Sequence, residues 1–551
     1  MGWPDDQDLQ VKVEAAFGAD VTADPGIWSW TDLSSRMQAE PIRIRVGKSS
    51  GAQYVSPRTC AVTLDNADGA LTPANPMSPY WPNVDLGTPL RVSVFWGGVW
   101  RERFAGFADQ WEPNFLPTTE PGVVDSVVQV TASGLLRRLG QGKPPTRSAL
   151  RRTIAATNPV AYFPAEDGIA ASAAGSALSN ASALTVTGVV EFKPVDDYQY
   201  NNRTTRYGTS ALADLSTGGS MYAVLHADAS SATTAAWTVH TLATVDPATL
   251  GGDLVMCEWT TPAGTHKRWQ LVVTLTGRTQ VIAYDAAGAS TVVVDRNGVV
   301  TSFTAWAVTA EQSGGNIQVT YWLTATIPIT GTVAGTLGGV ASLAVNPTGV
   351  TSDIPTPVGH LAVWASTEIP YRTAAERDSY GGSVVEALRS YAGETATDRL
   401  ARLTAEDGVS LDIPTVGADS VQRMGWQHEG TPMDLYRECE DVDGGILYEQ
   451  GFGLAYLPRE GRYNRSVDLE VDLAAYRVAR GGSGDVLRPV YDDQGIRNEL
   501  TVSRTDGSSV VVADPESQRR HGVYDDSIEL NLASDDQLAD QASWRLHVAA
   551  G

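Results

Sequence analysis

Two adjacent carboxylates, Glu166 and Asp167, follow the apolar run Val160-Ala161-Tyr162-Phe163-Pro164-Ala165. Acid–base cleavage of a sugar bond needs two carboxyl groups about 5 to 10 Å apart. Neighbours on a strand point to opposite faces, so this pair reads as a solvated loop end rather than a catalytic dyad. Among seven histidines, His428-Glu429 is the most suggestive metal pair. It sits just before a helix cap with no second histidine at ligand spacing, and reads as a turn. Asp441-Val442-Asp443-Gly444 begins like a calcium loop but lacks the later ligands, and reads as a helix C-terminus. The sequence has no His-Glu-x-x-His, no phosphate-binding glycine loop with Lys-Ser/Thr and no Gly-x-Ser-x-Gly elbow. The expectation is therefore no catalytic residue, no cofactor and no metal. Sugar binding asks for exposed aromatics beside polar groups, and Trp237, Trp259, Trp269, Trp306, Trp322 and Trp364 all fall in the section 158–370. Each falls in an alternating strand that needs large inward side chains, so core is favoured over platform. The glycan-binding residues stay unassigned.

What must position such groups is a mainly β, multidomain chain. At 551 residues it exceeds one core, and domains of roughly 100 to 200 residues imply three to five of them. Hydrophobic residues make up 42% against 19% charged, which excludes a disordered chain, and 53 Gly and 29 Pro favour short strands and turns. The net charge of −24 repels phosphate backbones, so sequence-specific nucleic-acid binding is not expected. Cys60, Cys257 and Cys439 lie far apart and read as buried free thiols. The first residues carry no basic patch with an apolar core, so cytoplasmic synthesis is expected. The longest uncharged run, Asn316 to Ser352, is broken by Gly and Pro and alternates like strands, so no membrane span is expected.

Four sections follow from the patterning: 1–142, 158–370, 373–465 and 466–551. The first reads as six strands in a barrel or sandwich: Val11 to Ala15, Ile42 to Gly47, Cys60 to Leu64, Leu90 to Trp96, Val99 to Asp109 and Val127 to Ala132. Gly97-Gly98 makes a two-residue hairpin turn that carries Trp96 and Trp100. After a short basic helix, the second section has at least eight antiparallel strands between Ser220 and Ala325, the spacing of a two-sheet sandwich. The third holds helices capped at Thr373, Thr395 and Thr431, the last presenting Met433, Tyr436 and Cys439 on one face, then a hairpin from Ile446 to Arg459. The fourth holds strands at Ile496 to Arg504 and Val510 to Asp514, a turn over Ser517 to Tyr524 and a helix from Asp535 to Val548.

The order Pro57-Arg58-Thr59-Cys60-Ala61-Val62-Thr63-Leu64-Asp65-Asn66-Ala67-Asp68-Gly69-Ala70-Leu71-Thr72-Pro73, then Leu86-Gly87-Thr88-Pro89-Leu90-Arg91-Val92, resembles the first domain of minor tail, or tail-tip hub, proteins of tailed actinobacteriophages. Phe104-Ala105-Gly106-Phe107, Val130 to Leu139, and the Gly444-Gly445-Ile446-Leu447-Tyr448-Glu449 hairpin are similar to the same family. Asn158-Pro159-Val160-Ala161-Tyr162-Phe163 and Val358-Gly359-His360-Leu361-Ala362-Val363-Trp364 resemble the first and last strands of laminin-G or concanavalin-like jelly rolls. The resemblance implies tail-tube-like β-barrel domains, a jelly-roll insertion and a small α+β section. It further implies a structural virion protein at the distal tail tip, a homotrimeric baseplate hub closing the tail tube. Its partners would be the distal tail protein, the tube and the tape measure protein, and the insertion could meet host cell-surface carbohydrate. Exposed hairpins such as Val92 to Trp100 would carry subunit contacts. The family continues through further strands beyond the point where Gly551 falls. A receptor-binding adhesin and a cell-wall glycoside hydrolase with an attached lectin domain are the alternatives.

Overall fold

The computed structural model describes residues 10–48, 54–116, 125–142, 144–178, 182–195, 208–299, 301, 303–323, 327–367, 383–414, 421–463 and 495–549. The chain is mainly β, the strands of the described residues lie in five sheets, and it separates into two compact units. One comprises Met1–Thr146, Gly393–Gly425 and Glu429–Gly551; the other comprises Arg147–Ala392 and Trp426–His428.

The first unit opens with β1 (Val11–Ala15), β2 (Thr31–Asp32), β3 (Arg43–Gly47), β4 (Ser56–Asp65), β5 (Pro89–Trp96), β6 (Val99–Leu116) and β7 (Asp125–Ser133), followed by helix α1 (Leu135–Leu139). They form one antiparallel sheet in the order β2-β1-β5-β6-β7-β4-β3. Alternation puts Val13, Cys60, Val62, Leu64, Val92, Phe104, Val128 and Val130 into a single core. Among the described residues the end strands β2 and β3 do not pair; the Leu33–Gln38 connection closes the gap instead. The Leu33 N–H donates to Val13 O at 2.8 Å on one side and the Gln38 N–H to Thr63 O at 3.2 Å on the other. The Asp65-Asn66-x-Asp68-Gly69 motif is a turn built on the buried Asn66, whose Oδ1 accepts the Leu71 N–H at 2.8 Å and whose Nδ2 donates to Thr72 Oγ1 at 2.9 Å. Gly97 and Gly98 take φ of 61° and 81° in the β5–β6 turn, a conformation that side chains resist, and leave Phe95, Val99 and Trp100 exposed near its tip.

The second unit runs from α2 (Ala149–Ala156) through β8 (Ala161–Phe163), β9 (Ala173–Ala174), β10 (Leu184–Thr187), β11 (Glu191–Pro194), β12 (Ala211–Asp214), β13 (Ser220–Val224), α3 (Ala227–Ala232), β14 (Ala236–Ala243), β15 (Leu254–Thr260), β16 (Arg268–Val273), β17 (Arg278–Tyr284), β18 (Ser290–Asn297), β19 (Thr304–Ser313), β20 (Asn316–Leu323), β21 (Ile329–Ala334), β22 (Ser342–Val345) and β23 (Pro357–Trp364) to α4 (Ser383–Leu388). One sheet has the order β18-β17-β16-β15-β22-β13-β10-β9. The other has β11-β12-β23-β14-β19-β20-β21 with β8 beside β23. Their facing residues share one core, so the unit is a β-sandwich. Its first and last strands pair antiparallel, Leu361 opposite Phe163. Helices α2 and α4 cover the outer face of the second sheet, where Leu150, Ile154 and Leu388 pack with Tyr162, Leu242, Ala307 and Trp364.

The first unit resumes with α5 (Ala396–Glu406), β24 (Leu411–Asp412), α6 (Pro432–Asp443), β25 (Ile446–Gln450), β26 (Gly453–Leu457), α7 (Arg459–Tyr463), β27 (Glu499–Arg504), β28 (Ser509–Ala513), α8 (Pro515–His521), β29 (Asp525–Leu530) and α9 (Leu538–Ala549). Thr395 caps α5 and a Thr431–Asp434 capping box starts α6. The expected cap at Thr373 lies outside the described residues. Where a turn is expected over Ser517 to Tyr524, most of the segment is helix α8. Asp514 Oδ1 accepts the Glu516 and Ser517 N–H groups at 2.9 and 3.0 Å, and Pro515 occupies the first turn. This helix carries the chain across, so β29 pairs parallel with β27 while β28 pairs antiparallel on its other side. One core joins Leu400, Leu403, Tyr436, Cys439 and Tyr456 with Val502, Leu530 and Ala542, and takes in Leu136 and Leu139 of α1. No helix of the described residues is long and apolar enough to cross a membrane.

Candidate functional site

Four of the six sandwich tryptophans lie in the core between the sheets. Trp237, Trp259, Trp269 and Trp306 are fully buried between the sheets; the Trp237 ring meets Trp259 and Trp269 edge-on at 5.4 and 5.6 Å. Trp364 is buried on the helix-covered side, its Nε1 donating to Thr157 Oγ1 at 3.0 Å, and Trp322 is half-buried. None of the six stands out as a sugar platform.

Glu166 is not the solvated loop end its sequence suggests. Its side chain is 2% exposed and holds together the start of α2, the segment before β12 and strand β23. Oε1 accepts from Ser148 Oγ, from Thr209 Oγ1 at 2.9 Å and from the Ser210 N–H at 3.1 Å. His360 Nε2 meets Thr209 Oγ1 at 2.8 Å and His360 Nδ1 meets the Tyr162 hydroxyl at 2.8 Å. Burial pushes the Glu166 carboxyl above its ordinary range and holds His360 down at about 3. This network pairs acid, imidazole and hydroxyl, but it is sealed from substrate and knits elements instead. Asp167 turns away to accept the Gly175 N–H at 3.1 Å. The pair therefore does not converge; the short polar partners Ser148 and Thr209 came from distant segments, which local sequence does not reveal.

The other candidates are also tied into structure. The His428 ring lies against Trp426, with centroids 3.8 Å apart. Asp441 accepts the Tyr54 hydroxyl at 2.6 Å, and Asp443 Oδ2 accepts the Tyr456 hydroxyl at 2.8 Å and the Arg459 N–H at 3.0 Å. Among the described residues no three metal-ligating side chains come together.

A different surface has the right chemistry: the outer face of the first sandwich sheet. The inward row Ala223–Leu343–Trp259–Trp269–Ala283 lies in the core, so the alternate residues on either side face out. One outward row runs Tyr222–Ala344–Glu258–Gln270–Ile282, and the next runs Val224–Ser342–Thr260–Arg268–Tyr284. A chain of hydrogen bonds crosses them. The Tyr284 hydroxyl donates to Gln270 Oε1 at 2.8 Å, and Gln270 Nε2 donates to Glu258 Oε2 at 2.6 Å. Arg268 lies over the Tyr284 ring at 4.0 Å and pairs with Glu258 at 3.8 Å. Thr260 and Ser342 share a hydroxyl contact at 2.6 Å. Tyr222 is 49% exposed, whereas Ala344 and Ser342 beside it are 6% exposed. The arrangement offers fixed donors and acceptors next to a standing aromatic ring. Sequence reasoning, drawn to tryptophans, missed it; the signal was the polar half of each alternating strand.

No known protein family matches the sequence, and neither does any curated protein. Solved structures overlap parts of it. The binding domain of botulinum neurotoxin serotype D/C aligns at 8% identity over 40% of this chain and 50% of its own, with a TM-score of 0.26. A carbohydrate binding module, CBM66, from Bacillus subtilis aligns at 10% identity over 26% of this chain and 81% of its own, with a TM-score of 0.18. Domain 4 of a GH43 extracellular arabinanase from Geobacillus stearothermophilus, solved with arabinotriose, aligns at 13% identity over 38% and 92%, with a TM-score of 0.25. The chain thus spans half the length of the neurotoxin chain it overlaps. Overlap at these TM-scores does not establish a shared fold.

Proposed function

We propose that this chain is a non-catalytic attachment protein of a phage tail tip, whose sandwich unit binds a carbohydrate of the host cell surface. The observation that carries the carbohydrate reading is the Tyr284–Gln270–Glu258 hydrogen-bond chain beside the exposed Tyr222, on the outer face of the first sandwich sheet. Saccharides are bound by fixed polar groups that replace water around hydroxyls and by aromatic rings that cover their apolar faces. The tail-tip half of the proposal is supported by the Pro57 to Val92 motif and the barrel it helps to build, and it brings the homotrimeric hub and its tail partners as part of the same reading. The hydrolase alternative loses support because Glu166 is sealed and Asp167 turns away.

The test has two arms. Gold-labelled antibody against the sandwich unit, applied to intact virions, is expected to mark the distal tail tip. Purified full-length chain is expected to sediment with actinobacterial cell walls and to leave their glycan intact. Label absent from virions would remove the tail reading, and failure to sediment would remove the attachment reading.

A further inference from the structure

We infer that the strip over β22 is a binding groove for a neutral oligosaccharide, with Tyr222 as one wall and Glu258 and Arg268 as the other, the buried Gln270 holding Glu258 in place from behind. This rests on the carbohydrate reading above and gives it a place and a ligand class. Strand order supplies the geometry. Tyr222 on β13 and Glu258 on β15 both flank Ala344 on β22, so they stand two strand spacings, about 10 Å, apart. The floor between them is small, Ala344 and Ser342, while the walls are long side chains.

Charge decides the ligand class. In a chain of net charge −24, the groove's charged pair, Glu258 and Arg268, is self-neutralising at 3.8 Å, and the remaining lining groups are hydroxyl and phenol. An anionic polymer would gain nothing from an arginine already held by a carboxylate, whereas an uncharged polyol meets matched donors and acceptors. Glu258 Oε2 is occupied by Gln270, and Oε1 makes no hydrogen bond within the described residues, leaving an acceptor for a sugar hydroxyl. Preorganisation lowers the cost of binding, because Gln270 and Tyr284 are already held in one orientation.

Isothermal titration of the full chain with neutral tetrasaccharides (cello-, malto-, manno- and galacto-series) and with sialyllactose and tetragalacturonate tests the inference. Expected is saturable binding of at least one neutral series, weakened at least tenfold by Tyr222→Ala and by Glu258→Ala. Ala344→Gln, which fills the floor without removing a wall, should abolish it. Val511→Ser, an exposed change in the other unit, should leave it alone. Each variant is first checked for an unchanged melting curve, and Ala344→Gln keeps the test valid if one wall variant fails to fold. Binding that survives all three groove variants within twofold overturns the site but leaves the attachment reading intact. Preference for the two anionic ligands overturns the ligand class. Sedimentation with cell walls but no binding to any of these saccharides overturns the groove alone, and loss of both overturns the attachment reading with it.

Discussion

The Glu449 carboxylate accepts the Leu136 backbone N–H through Oε1 at 2.6 Å, a contact between residues 313 positions apart. Its Oε2 accepts the Arg58 N–H at 2.8 Å, so one buried side chain fastens the β25–β26 hairpin to β4 and to the start of α1. Gly134, the residue before that helix, has no side chain to cap it, and a Cβ there would collide with the Glu449 carboxylate. Glu449→Ala should therefore orphan two sheltered donors, at about 1–3 kcal/mol each. Gly134→Ala should cost about 1–3 kcal/mol by overpacking. Urea unfolding of either variant with an unchanged midpoint would contradict this clamp.

Acid should loosen the sandwich. His240 and His360 are fully buried, and burial holds their imidazoles at about 4 and about 3. Unfolded, each takes a proton near pH 6.5. Between those values the unfolded state binds more protons, so stability is full above about pH 6.5 and falls as pH drops towards 4. Glu166, raised by burial, pulls the other way above the ordinary carboxylate range, one group against two. Tryptophan fluorescence during urea titration should give a lower sandwich midpoint at pH 5 than at pH 7.5; an equal or higher one contradicts it.

Trp237→Ala should cost about 3–5 kcal/mol, the range for emptying a buried aromatic site. The ring stands edge-on to two other indoles, so its loss leaves both facing a void. A melting temperature within a degree or two of the parent would be incompatible with this placement.

The three thiols should be silent in the native chain. Burial pushes Cys60 and Cys257 up to about 12, and Cys439 is raised by the same cause. At neutral pH hardly any thiolate is present to react. A chromogenic disulfide reagent should titrate no thiol until denaturant is added, then three; fast reaction of any one in the native state would place it at the surface.

Much of the fold is written locally. Val11 to Ala15 is a strand over those residues, and Gly97-Gly98, Thr395 and Thr431 act where their turn and cap chemistry places them. What local pattern cannot carry is partnership across distance. The common core of Leu136, Tyr436 and Val502, the parallel pairing of β27 with β29, and the burial of Glu166 against Ser148 and Thr209 all depend on segments that meet only after folding. Trp237, Trp259, Trp269 and Trp306 were legible as core because alternation assigns them inward, whereas Trp322 and Trp364 face the helix side of their sheet. The groove face was harder, since Glu258, Gln270 and Tyr284 look like ordinary outward residues until register aligns them.

The antiparallel pairing of β8 with β23, together with the packing of α2 against α4, brings the entrance and the exit of the sandwich unit side by side. A module whose two ends meet can be lifted out of a gene or exchanged for another with little demand on the flanking chain. Recombination can thus exchange the whole sandwich unit as a cassette while the sequence on either side of it is inherited unchanged.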